Sequence, residues 1–107
     1  MKEDKVYLDH IVECLDWIEQ YTVEGRTAFL KDRKTQSAVL RELQILSEST
    51  QHLSDRLKGA HLEVPWQGIA GFRNVLVYDY LGINLERVWS IIDQDLPVLR
   101  SAIESML

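Results

Sequence analysis

The chain has 107 residues, about one domain's worth, and its 46% hydrophobic and 27% charged residues exclude wholesale disorder. Five Gly and two Pro are too few for the many turns of an all-β sandwich or barrel. Twelve Lys and Arg against seventeen Asp and Glu give a net charge of −5. That balance counts against a nucleic-acid partner, because phosphate attraction is the main sequence-independent term in such binding.

The first predicted element covers roughly 3–24. Leu8, Ile11, Val12, Leu15, Ile18 and Tyr21 recur at three- and four-residue steps, the mark of one helix face, and Gly25 ends the run. The second covers roughly 33–58. Val39, Leu43, Leu46, Thr50, Leu53 and Leu57 step by four and three in alternation, a seam held for almost three heptads. This seam reads as intramolecular core rather than a dimer zipper. Asp32 is its expected N-cap and Gly59 its expected stop, with Lys58 in the last turn. A short helix follows at roughly 65–78, with Pro65 in its first turn, Ile69, Phe72, Val75 and Leu76 on its apolar face, and Gly82 closing it. Gly68 and Gly71 fall inside this pattern and read as close-packing positions. The last pattern runs through Leu85, Val88, Ile92, Leu96, Leu99, Ile103 and Met106, with Asn84 as N-cap and Glu86 in the first turn. Pro97 lies within it and predicts a kink or break near Leu96. No repeat or linker is visible, so residues 1–107 read as one all-α domain, a four- or five-helix bundle.

Charge is segregated along the chain. Residues 3–24 carry seven acids and one base, Lys5. Residues 25–41 carry five bases and one acid, Asp32, and read as a basic turn. Cys14 is the lone cysteine, which rules out an intrachain disulfide or a cysteine metal site. His10, His52 and His61 stand at no metal-ligand spacing, and no P-loop or dinucleotide motif is present, so no metal or cofactor is expected. The start MKEDKVYLDH lacks a signal-peptide apolar region, and no apolar run is long enough to span a membrane. A soluble cytoplasmic protein is the expectation.

The chemically informative stretch is Gly71-Phe72-Arg73-Asn74-Val75-Leu76-Val77-Tyr78-Asp79-Tyr80-Leu81-Gly82-Ile83. It sets Arg73, Asn74, Tyr78, Asp79 and Tyr80 at the end of a short helix. An arginine there can hold a phosphate through its planar fork. The plainer alternative is that Arg73 pairs with Asp79 or Glu48 and the tyrosines pack.

This stretch resembles the signature of HepT-like toxins, a branch of the HEPN nucleotide-binding superfamily: Arg, four residues, His, one residue, Tyr. Arg73 matches the arginine and Tyr80 the tyrosine, while Tyr78 stands where the family has histidine. Phe29 to Asp32 leading into Thr35-Gln36 and Ala38-Val39, the segment Leu43 to Glu48, Pro65-Trp66, Gly82-Ile83, Val88-Trp89 and Asp95-Leu96-Pro97 also resemble the family, in order and at natural spacing.

The resemblance implies a HEPN-type bundle that dimerises through helices, or forms a higher homo-oligomer, so that two motifs face one cleft. It implies a metal-independent ribonuclease toxin of a type VII toxin–antitoxin pair, acting on tRNA or mRNA. Its partner would be MntA, a nucleotidyltransferase antitoxin that transfers AMP to the motif tyrosine, by position Tyr80. The implied catalytic set is Arg73, Asn74, the Tyr78 position and Glu48. Tyr78 departs from this chemistry, because a phenol with an ordinary pKa of about 10 is a poor general base at neutral pH. Two explanations stand side by side: a natural variant of altered activity, and an inactivating substitution. An alternative function is a non-catalytic helical module that binds a nucleotidyltransferase or a nucleotide through the same cleft.

Overall fold

The second predicted helix does not run unbroken. In the computed structural model, which describes residues 2–77 and 84–107 (backbone alone for 2 and 73–77), it divides into α3, Arg33–Gln51, and α4, Asp55–Ala60. Two other helices precede α3: α1 is Lys2–Tyr21 and α2 is Arg26–Lys31. After α4 come α5, Trp66–Val77, and α6, Leu85–Ser90. A π-helical turn, Ile91–Asp95, joins α6 to α7, Leu96–Met106. Four long rods (α1, α3, α5 and the continuous α6–α7 rod) form the expected all-α bundle, and α2 and α4 are short connecting helices. The radius of gyration is 13.6 Å, close to the ~13 Å of a compact 100-residue domain.

The division of the second helix has its cause in α1. The buried Asp4 carboxylate accepts from the Ser54 backbone N–H at 2.8 Å and from its hydroxyl at 2.7 Å. The Ser54 hydroxyl in turn accepts from the Leu57 N–H at 3.2 Å and starts a new helix. Gly59 therefore lies inside α4 and is not a helix stop.

The seam read from sequence is core. Val39, Leu43 and Leu46 are fully buried, and Leu53 nearly so. α3 packs against α1 on one side and α5 on the other, and α1 also meets α7. The hydroxyls of Ser47 and Thr50, buried in the same face, donate to the carbonyls of Gln44 and Ser47 three residues back. Among the described residues no buried side-chain nitrogen or oxygen lacks a partner.

The first helix stops at Tyr21, three residues short of expectation, where the Thr22 hydroxyl donates to the Ile18 carbonyl at 2.7 Å. Gly25 then turns the chain with φ of 91°, a conformation other residues resist, and opens α2. The stretch expected as a basic turn thus contains a short helix. Its Phe29 is buried with its ring 5.6 Å from that of Trp89. Asp32 caps α3 as expected, accepting from the Lys34 N–H at 3.1 Å. Asn84 likewise caps α6, accepting from the Arg87 N–H at 3.1 Å.

Pro97 leaves the last rod helical but changes its winding. A proline removes one helical hydrogen bond, and its ring collides with the carbonyl four residues back. Here the Leu96 N–H reaches the Ile91 carbonyl, five residues back, and a widened turn precedes the proline.

Candidate functional site

α5 is placed by its first residue. The Trp66 indole N–H lies 3.1 Å from the Lys58 carbonyl and 3.0 Å from that of His61, fastening the start of α5 to the end of α4. Ile69 and Phe72 are buried, and α5 lies along α3. Arg73 and Asn74 follow directly, within α5, where their backbones are described and their side chains are not. Tyr78, Asp79, Tyr80 and Gly82 lie outside the described residues. Glu48 sits on α3, exposed, between the buried Ser47 and Ser49, and makes no hydrogen bond or ion pair among the described residues. The structure thus places the helix that bears the motif but does not bring Glu48, Arg73 and the tyrosines into one measured arrangement.

Among the described residues nothing packs closely against Gly68 or Gly71. A Cβ at Gly68 would meet only Pro65, at an ordinary 3.7 Å, and one at Gly71 would meet no described atom within 4 Å. Gly68 instead borders a cavity of about 250 Å³. Pro65, Gly68 and Phe72 form one wall; Arg87, Ser90, Ile91 and Asp95 form the other. Arg87, Ser90 and Asp95 are exposed, and neither charged side chain forms an ion pair among the described residues. The π-turn supplies this second wall, with Ser90 just before it and Asp95 at its end. In the sequence Arg87 and Ser90 carry no signal of this cavity, and Asp95 figures only within the Asp95-Leu96-Pro97 resemblance. Pro97 was the available signal, since it announced irregular winding at that place.

The remaining titratable groups have other surroundings. The His52 ring stacks on Tyr7 at 4.8 Å, and His10 meets Tyr7 edge-on at 6.0 Å. His61 Nδ1 lies 3.1 Å from Glu63, whose carboxyl is held below the usual range by its own backbone N–H and by His61. Burial, reinforced by the carboxylates of Glu42 and Glu13, pushes the Cys14 thiol up to about 12, which removes it as a nucleophile. No group of three or more His, Cys, Asp or Glu among the described residues is arranged to hold a metal ion.

Comparison with known proteins shows the family. A family model described as "Ribonuclease HepT-like" matches residues 11–106, from the first helix to the last. The chain belongs to the HepT-like family. A "Probable ribonuclease HepT" of Thermococcus cleftensis is 34% identical over 106 residues, covering 98% of this chain and 96% of the relative. A protein of Caldanaerobacter subterraneus subsp. tengcongensis, provisionally named an RNase, is 33% identical over 108 residues, covering 100% of this chain and 96% of its own. A Methanocaldococcus jannaschii protein named a gamma-glutamylcyclotransferase and, provisionally, an RNase is 31% identical over 103 residues. That match takes in 95% of this chain but only 46% of the relative, so the chain spans less than half of its length. No solved structure matches. The HepT-like match includes α5, the segment after it and both walls of the cavity. No described helix is long and apolar enough to cross a membrane.

Proposed function

We propose that this chain is a metal-independent ribonuclease of the HepT type, the toxin of a pair whose antitoxin is an MntA-like nucleotidyltransferase. The observation that carries the reading is the HepT-like match over residues 11–106, which runs through Arg73, Tyr78 and Tyr80. In this reading the ribose 2′-hydroxyl attacks the adjacent phosphorus and the 5′-oxygen leaves. A base takes the 2′-proton, an acid protonates the leaving oxygen, and a cation stabilises the charge on the phosphorane. Arg73 is the cation, and Asn74 and Glu48 complete the catalytic set that the resemblance implies. Two copies of the chain supply two motifs to one cleft. AMP transfer to Tyr80 blocks that cleft with bulk and negative charge.

Tyr78 sets the rate. Its phenol can give a proton but is a weak acceptor at neutral pH. Purified tRNA and mRNA incubated with the chain in EDTA test the activity directly. Tyr78→His will raise cleavage by about tenfold or more, the low end of a general acid–base contribution. Arg73→Ala in that background will abolish it. Equal cleavage with and without the histidine would remove the proton-transfer role from this position.

Incubation with an MntA-like enzyme, ATP and magnesium will add one or more AMP masses to the chain, and Tyr80→Phe will lose them. Undiminished modification of Tyr80→Phe would move the acceptor elsewhere, with Tyr78 the next residue to test. Tyr78 also favours one second reading, a non-catalytic module that binds the nucleotidyltransferase or a nucleotide. Absence of cleavage by the chain as written, together with retained AMP transfer, would select it.

A further inference from the structure

The cavity between α5 and the π-turn has the chemistry of a nucleobase site. Its volume of about 250 Å³ falls below the ~300–1,000 Å³ of pockets that take drug-sized ligands, and suits a single base. Phe72, Ile91 and Pro65 give it apolar walls. Polar groups come from Arg87, Ser90 and Asp95, spaced at 87, 90 and 95 along the α6–π rod so that all three border one opening. π-turns inside helices recur at functional sites, and this one forms a cavity wall. Phe72 is the residue before Arg73, so the cavity adjoins the helix turn that carries the motif arginine.

We infer that this cavity is a guanine-selective subsite for the nucleotide next to the phosphate held by Arg73, a step that rests on the ribonuclease reading above. The selectivity comes from Asp95. A carboxylate is acceptor-only and can take two donors side by side. Guanine presents such a pair on its Watson–Crick edge, N1–H and N2–H₂. Adenine and cytosine offer one amino donor beside an acceptor, and uracil offers one N–H between two carbonyls. The Ser90 hydroxyl can donate to guanine O6. Arg87 supplies a cation for the nucleotide's own phosphate and offsets the Asp95 charge at the opening.

The test is titration of the full chain with the four nucleoside 5′-monophosphates by calorimetry. GMP will bind about tenfold or more tighter than AMP, CMP or UMP, the scale of one good bidentate base contact. Asp95→Asn will reduce that preference to about twofold or less while phosphate-dependent binding persists. Arg87→Ala will weaken all four nucleotides in parallel and keep their order. Both residues are exposed, and unchanged helical circular dichroism will show that the variants are folded. Equal affinities for the four nucleotides, or a guanine preference undisturbed in Asp95→Asn, would overturn the subsite. RNA cleavage in EDTA, measured on the same preparations and on Tyr78→His, separates the two readings. Cleavage without guanine preference overturns the subsite and leaves the ribonuclease standing. Guanine preference without any cleavage upholds the subsite and overturns the ribonuclease.

Discussion

A single buried carboxylate decides where one helix of this bundle ends. Asp4 accepts two hydrogen bonds from Ser54, fifty positions along the chain. Those bonds, side chain first and backbone second, hold its carboxyl below the usual range. A group whose folded pKa is depressed stabilises the fold above its unfolded pKa, and that contribution is lost as pH falls through the folded value. Ser54→Ala removes the α4 cap and one of the two donors, and will cost about 1–2 kcal/mol at neutral pH. Measured by denaturant titration, the gap between Asp4→Ala and the parent will be full above pH about 4 and will narrow below it. A gap independent of pH would show that the Asp4 carboxylate is not what holds Ser54.

At the scale of the element, local pattern and distant contact contributed differently. The period of Val39, Leu43, Leu46 and Leu53 was legible because one buried face repeats every three or four residues. The caps Asp32 and Asn84 were legible because their hydrogen bonds are local. The break after Gln51 was not, because its cause lies in α1. Pro97 announced a disturbance but not its form, since a kink, a break and a π-turn all relieve the same clash. For the candidate site, α5 and its bounds were legible from Pro65, Ile69 and Phe72. The cavity was not, since it depends on α5 meeting a turn some twenty residues further on. Placing Gly59 inside α4 has a measurable result. A Cβ there would meet no described atom within 4 Å and its φ is not positive, so Gly59→Ala will stabilise the chain by about 0.5–1 kcal/mol. Destabilisation in a thermal melt would return this glycine to the role of a helix stop.

For the whole molecule, the net charge of −5 conceals a division. Residues 3–24 contribute −6, one base minus seven acids, and leave the rest close to neutral. Part of that acidic face is neutralised across the bundle. Arg100 of α7 lies 3.0 Å from Asp16 and 3.2 Å from Glu19 of α1, and 3.7 Å from Glu104 on its own helix. Arg26 pairs with Glu86 and ties α2 to α6. Such partly exposed pairs contribute little to stability. Arg87 makes no ion pair among the described residues and stands on the α5 side of the molecule, away from that α1–α7 network. An acidic protein can therefore meet a phosphate locally, through one or two arginines, without a basic face.

Cys14 gives this architecture a clock. Its thiol is 3% exposed between α1 and α3 and is protonated far above neutrality, so the folded chain offers almost no thiolate to attack an added disulfide reagent. Reaction must wait for α1 to lift from α3, and its rate then counts those openings. One colorimetric trace in a cuvette will read the breathing of the core. A variant such as Leu43→Ala, which loosens that contact, will accelerate the trace, whereas prompt labelling of the parent would mean that α1 is never firmly seated.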